Sequence, residues 1–548
     1  MIDISPNFIP EVPAKMKIVL NQINSQMSER VGGITLGGQD SKVSASGQFT
    51  LGGISKTAKP GDNLQNLIDE LDELGGGTLY LAAGTYTQET ALTLYDDIRI
   101  IGLGQAATTV DFNNTAANFT ATGTSVYTTG TITVASGTAI TGSGTSWLAN
   151  VTAGQHLFLG TRWYLIAAVT GDTTLVLAEG YGDNVTLPST YRIATPIQGV
   201  RIEGATIKNS TGTALAFTDF RKLVTDDVLL LDNNKGFVFT NFGEINAERF
   251  NLVSNTSNGG ELTNGGLSDW ESINPVSNGG HGIVINNVKN MTIFPTSSTS
   301  NTSDGYNITT GVNIYLFGEF SGNGGQGVEC VSGCDNVTII PSACSNNTSD
   351  GVKLTATSDN CKIELGNITG NGGYGINIAA STCDNTNISA SNTFSGNTSG
   401  AINDAGVGTN IGDCVGIAIT EIKRHVRMKN TSGGQLDAGD LVGTKDVAAG
   451  DEVTTYTTTG DGHIFGMVVE TIANNAYGRI QTLGKTTLMK VNGDADVNIG
   501  SFITFYTTAK IGMTAGVGNS VIAIALEAYT AADSNGVIDA MLIPIRSI

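Results

Sequence analysis

A repeat of 22–25 residues runs from Gly282 to Gly400 and restricts the fold more than any other feature of this 548-residue chain. In register the segments are HGIVI at His281–Ile285, DGYNI at Asp304–Ile308, QGVEC at Gln326–Cys330, DGVKL at Asp350–Leu354, YGINI at Tyr374–Ile378 and SGAIN at Ser399–Asn403. The glycines Gly282, Gly305, Gly327, Gly351, Gly375 and Gly400 lie 23, 22, 24, 24 and 25 residues apart. A unit this short cannot bury its own apolar face, so a sustained period of about 20–30 residues marks a solenoid. Each unit carries a second apolar run (NMTIF, VNIYLF, NVTII, CKIEL, TNISA), and turn-formers such as NTSDG and NGGYG lie between the runs. Short β-branched runs bounded by Gly and Asn are strands rather than helices. Short strands and tight turns in each unit build the rungs of a right-handed parallel β-helix.

Only 14% of residues are charged while Gly alone numbers 72, which suits long β-structures with amide and hydroxyl surfaces. A net charge of −21 argues against nucleic-acid or anionic-membrane partners. No stretch of about 18 apolar residues offers a membrane span. The start, MIDISPNFIPEVP, has acids and prolines where a signal peptide has a basic patch and an apolar run. Synthesis in a cytoplasm and release without secretion are therefore expected.

The six cysteines (Cys330, Cys334, Cys344, Cys361, Cys383, Cys414) fall in and just after the later rungs. They fit thiols stacked inside the solenoid or disulfides between rungs; a zinc site is disfavoured by their spacing and the lack of a nearby His. No P-loop, nucleophile elbow or calcium-binding nonapeptide array is present, so neither cofactor nor metal is expected.

Five regions are expected along the chain. Residues 1–58 hold a helix with Met16, Leu20, Ile23 and Met27 at spacings of 4, 3 and 4, a heptad-like seam that either packs on its own protein or joins three copies. Residues 59–121 begin with a helix whose Leu64, Leu67, Ile68 and Leu71 share one face, followed by GGGTLYLAAGTY at Gly75–Tyr86. Residues 122–195 alternate short strands with Gly-centred turns and read as an inserted small β-barrel or sandwich. Its Trp147 and Trp163 serve core packing or sugar stacking. Residues 196–415 are the β-helix proper, with irregular rungs and loops around 259–275. Residues 416–548 read as an all-β domain.

The Gly75–Tyr86 segment resembles the opening of pectate-lyase-like β-helices, especially bacteriophage tailspikes, departing where Ala82-Ala83 replaces a proline-containing pair. There a helix covers the open end of the solenoid and protects its strand edges. GTITVASGTAITGSGTSW resembles a β-module inserted in phage tail proteins. Asn492–Pro544 resembles phage decoration and tail domains. The resemblance implies a homotrimeric virion appendage assembled in the host cytoplasm: a tailspike, fibre or head decoration. One terminal domain would attach it to another capsid or tail protein, and it would meet a host-surface glycan. The alternatives are a tailspike depolymerase, hydrolase or lyase, and a non-viral secreted adhesin or lyase.

Candidate chemistry is sparse. Asp304 and Asp350 occupy one position two rungs apart, about 10 Å by ideal stacking, at the upper edge of inverting-glycosidase spacing. The competing reading is turn geometry. Asn307, Glu329, Lys353 and Asn377 also stack, with Glu329 and Lys353 expected to pair. Asp269 and Glu271 flank Trp270 in what reads as an irregular loop, a trio suited to sugar binding through Trp270. Asp226, Asp227 and Glu248 are weaker candidates, and His281 reads as a turn residue.

Overall fold

The computed structural model describes residues 42–43, 49–50, 54–134, 137–181, 191–389, 391–411, 414, 424–444, 452–455, 464–494, 496–506, 510–516, 519–530 and 535–547. The seam Met16, Leu20, Ile23 and Met27 lies outside them.

From Ser55 to Ile411 the chain winds as a parallel β-helix, interrupted between Thr124 and Thr195 by an inserted antiparallel unit. Val200 pairs with Leu223, Leu223 with Ile245, Ile245 with Ser268, Ser268 with Met291 and Met291 with Ile314, each one rung further on. Each full rung contributes to three parallel sheets. Gly77–Leu81 and Ile98–Ile101 begin the first, Gly84–Thr87 and Thr108–Thr115 the second, and Leu92–Thr93 and Phe119–Thr122 the third. Long strands such as Thr213–Leu231 pass through all three, turning at left-handed residues: Asp219 at φ 57° and Asp227 at φ 53°. Alternate side chains point inward and stack rung on rung, with Phe217 over Phe239 and Phe220 over Phe242 at centroid separations of 5.4 and 6.0 Å.

The helix Leu64–Asp72 closes one end, burying Leu64, Ile68 and Leu71. Gln65 satisfies an edge that would otherwise be open: its Oε1 accepts from Thr93 N–H at 2.7 Å and its amide donates to Thr93 O at 3.2 Å. A strand edge blocked in this way cannot recruit another chain.

A ladder of asparagines runs inside the corner between the second and third sheets: Asn233, Asn255, Asn278, Asn301, Asn323, Asn347, Asn371 and Asn397. Each Oδ1 from Asn255 onward accepts both the backbone N–H and the side-chain amide of the preceding member, at 2.8–3.2 Å. The first seven are no more than 1% exposed. Buried amides are tolerated because every one is paired.

The turns after these asparagines alternate. Thr-Ser-Asn-Gly follows Asn255 and Thr-Ser-Asp-Gly follows Asn301 and Asn347, whereas Gly-Gly-x-Gly follows Asn278, Asn323 and Asn371. The true structural repeat is therefore two rungs. It ends at Asn397, where Thr-Ser-Gly-Ala puts Gly400 in the aspartate position and Ala401 opposite Gly375. The expected anchoring role of Gly400 thus shifts by one residue, to Ala401: Tyr374 pairs with Gly400.

Residues 124–195 form a seven-stranded antiparallel arrangement around Trp147, Leu157, Tyr164 and Ile193. Beyond the solenoid, a nine-stranded sheet from Arg424–Asn430 to Asn535–Ser547 encloses two cores, one around Val442 and Ile480 and one around Met489 and Phe505. The strand Tyr477–Asn492 belongs to both, its first half pairing with Arg424–Asn430 and its second with Asn535–Ser547.

Candidate functional site

Asp304 and Asp350 are 4% and 8% exposed and serve the two-rung repeat. Asp304 Oδ1 accepts the Gln326 N–H at 2.8 Å and Asp350 Oδ1 the Tyr374 N–H at 2.7 Å; Asn258 does the same for His281 at 2.8 Å. A Cβ on Gly325 or Gly373 would stand 2.2 Å from these oxygens, so the Gly-Gly turn makes room for the preceding rung's carboxylate. Burial opposes the charge of Asp304, yet donation from His281, Asn307 and the Gln326 N–H holds its pKa below the ordinary value. Both aspartates are engaged in clamping one turn to the next. Glu329 and Lys353 pair at 2.8 Å on the outside of the third sheet.

Residues 268–271 lie within the continuous strand Gly260–Val276, not in an irregular loop. Strand alternation turns Trp270 inward, where it is 1% exposed and packs edge-on against Phe237 and Phe250. It therefore offers no face to a sugar, and its role is core packing. Asp269 and Glu271 point outward and are exposed.

Outside the first sheet, the register lines up Glu203, Asp226, Glu248 and Glu271 on four consecutive rungs. Phe294 and Phe317 continue that column, one residue after the pairs Trp270–Ile293 and Ile293–Leu316. Their rings are 4.6 Å apart, and Phe294 is 46% exposed. Tyr315 stands beside them on the same outer face, half-buried. Arg201 neutralises Glu203, and Arg249 meets Asp226 at 2.6 Å. Glu248, Asp269 and Glu271 make no ion pair or hydrogen bond among the described residues. Adjacent strands put Glu248 and Glu271 about 4.8 Å apart at the backbone, and the two-residue rise separates Asp269 from Glu271 by about 6.6 Å. Three unpaired carboxylates thus adjoin an aromatic ledge. The signal was present in sequence: N-A-E at 246–248 and D-W-E at 269–271 repeat 23 residues apart.

The inserted sheet is fastened at the corner leading onto this face. Trp163 donates to Asn241 O at 2.9 Å and Arg192 Nε to the fully buried Asp219 at 2.8 Å. Phe158 and Trp163 pack together with Ala194. Thr161, in the turn joining His156–Leu159 to Arg162–Gly171, reaches Gly266: a Cβ there would lie 3.3 Å from Thr161 O. That turn stands against the corner at Gly266, three residues before Asp269 in the chain. Both Trp147 and Trp163 are buried, at 0% and 4% exposure, and take the packing role. His156 sits in the same junction, 3.1 Å from Arg221, and burial together with that guanidinium pushes its pKa down to about 4.

None of the six cysteines forms a disulfide among the described residues, and five of them are buried. Burial pushes Cys344 up to about 12 and Cys383 up to about 11, so both remain protonated hydrophobes. Among the described residues no group of three or more His, Cys, Asp or Glu is arranged to hold a metal ion, and no helix is long and apolar enough to cross a membrane.

No family model matches the chain, and no curated protein matches it. Solved structures similar to it include the mannuronan C-5 epimerase AlgE4 A-module of Azotobacter vinelandii, at 18% identity and TM-score 0.38, covering 64% of this chain and 94% of that one. The Gp54 tailspike of Acinetobacter baumannii bacteriophage AP22, solved with a capsular saccharide, overlaps at 10% identity and TM-score 0.35, covering 77% and 90%. The gp49 tailspike of Pseudomonas phage LKA1 overlaps at 12% identity and TM-score 0.34, covering 82% and 90%. At these values the likeness extends no further than the β-helical winding.

Proposed function

We propose that the chain is a tailspike-type virion appendage that adheres to a host-surface glycan along the outer face of its first sheet. The observation carrying this reading is the strip of Glu248, Asp269 and Glu271 beside Phe294 and Phe317. Aromatic faces take up the apolar C–H faces of sugar rings, while carboxylates accept hydrogen bonds from hydroxyls and from amines. A neutral or amine-bearing glycan suits this strip, since a polyanion would meet the unpaired carboxylates with like charge. Three copies would assemble through the N-terminal seam, and one terminal domain would attach to another virion protein. Calorimetric titration with host capsule and O-antigen fragments tests the adhesion. Saturable binding that the double substitution Phe294→Ala/Phe317→Ala abolishes supports it; binding untouched by the substitution removes the strip from the account. Light scattering tests the assembly, and a mass near that of one chain contradicts three copies.

A second reading, glycan cleavage, is favoured by the spacing of the same carboxylates. The Asp269–Glu271 backbone separation of about 6.6 Å and the Glu248–Glu271 separation of about 4.8 Å lie near the ranges of inverting and retaining glycosidases. Release of new reducing ends or unsaturated uronates, lost in Glu248→Gln/Asp269→Asn/Glu271→Gln, would establish cleavage. Binding without release keeps adhesion as the whole function.

A further inference from the structure

The asparagine ladder has a covalent consequence. Asn278, Asn323 and Asn371 each precede a glycine that close packing requires: a Cβ on Gly279, Gly324 or Gly372 would lie 2.2, 2.1 or 2.2 Å from the carbonyl oxygen of Thr256, Thr302 or Thr348. An Asn-Gly pair is prone to deamidation because no side chain shields the glycine nitrogen. That nitrogen attacks the asparagine side-chain carbonyl carbon and forms a new C–N bond. The amide nitrogen leaves as ammonia, taking up the glycine N–H proton, and a five-membered succinimide remains. Water then opens the ring at either carbonyl, giving aspartate or isoaspartate.

We propose that the ladder locks three deamidation sites built into alternate rungs, and that they convert only when the solenoid opens locally. Both reacting groups are restrained in the closed rung. The Gly279, Gly324 and Gly372 N–H groups donate to Asn255 O, Asn301 O and Asn347 O at 2.7, 2.8 and 2.9 Å. The Asn278 amide donates to Leu252 O at 3.0 Å and Asn301 Oδ1 at 2.9 Å, while its Oδ1 accepts from Asn255 N–H at 3.1 Å. Asn323 and Asn371 are held in the same pattern, and all three are at most 1% exposed, which also keeps out the hydrolytic water. The intervening members Asn255, Asn301 and Asn347 precede threonine, whose side chain hinders the attack. Conversion replaces the donating amide with a carboxylate and buries a charge against the next rung's Oδ1. An opened and converted rung therefore does not close again, which makes local opening a one-way loss.

The test incubates the full-length protein at mildly alkaline pH, in native buffer and in urea that unfolds it, and follows each Asn-Gly peptide by mass spectrometry. In the native protein, conversion at Asn278, Asn323 and Asn371 is expected to be slower by more than about tenfold, the factor that one buried hydrogen bond's worth of opening free energy supplies. Native conversion within that factor of the unfolded rate overturns the proposal. Asn397→Ala, at the ladder's end, removes the acceptor of the Asn371 amide and should speed conversion at Asn371 while leaving Asn323 slow. Equal rates at the two positions in a folded Asn397→Ala protein also overturn it.

Discussion

Single residues in this chain matter through what they fasten. Asp304 and Asp350 are the clearest case. Replacing either with alanine removes the acceptor of a part-buried backbone N–H, and urea unfolding should show a loss of about 1–3 kcal/mol with glycan binding unchanged. Asp304 also gives the protein an acid limit. Its pKa is held down in the folded chain, so its contribution is complete above the unfolded value and is lost as pH falls through the lower folded one. His156 acts at higher pH. Its folded pKa of about 4 lies below the unfolded value near 6.5, so the unfolded chain binds the extra proton between them and stability falls as pH drops through that window. His156→Gln should flatten the slope of unfolding free energy between about pH 6.5 and 4, a change on the order of 3 kcal/mol across the window. An unchanged slope would mean that the junction with Arg221 does not set it.

At the scale of elements, the rung is legible in sequence because its period comes from close packing. A glycine recurs in the third-sheet strand since a Cβ on Gly282 or Gly305 would meet the next rung's carbonyl at 2.4 or 2.5 Å. The helix Leu64–Asp72 was equally legible from its one apolar face. The asparagine ladder was not, because Asn reads as a turn residue and only the stacked register reveals that its amide points inward. Trp270 was misplaced for a related reason: Gly, Asn and Ser around it resemble a loop, whereas on a solenoid these residues build the corners of an extended strand. Read from sequence, the aromatic candidate for sugar contact therefore falls on the wrong side of the sheet, and Phe294 and Phe317 look like ordinary strand residues. The ladder makes its own prediction. Asn323→Ala, in its middle, removes donors and an acceptor at a position no water reaches and should cost about 2–4 kcal/mol; Asn397→Ala, partly exposed at the end, should cost about 1 kcal/mol. Chemical denaturation of the two variants compares them directly, and equal costs would contradict a cooperative ladder.

Across the whole molecule, a long β-helix presents a stiff outer face between a helical cap and a two-core β-domain. Parallel strands about 4.8 Å apart make that face a ruler, so functional groups on successive rungs fall at fixed intervals along any chain laid across them. The inserted sheet is held to the corner of this ruler by Trp163 and Arg192, with its Thr161 turn against Gly266. The central claim is that the strip of Glu248, Asp269, Glu271, Phe294 and Phe317 holds a surface glycan. Its most direct test is calorimetric titration of the folded protein and of Phe294→Ala/Phe317→Ala with fragments of the host's surface polysaccharide. The account predicts saturable binding to the parent protein that the double variant loses while its unfolding midpoint is kept. Equal affinity for the two proteins would contradict it.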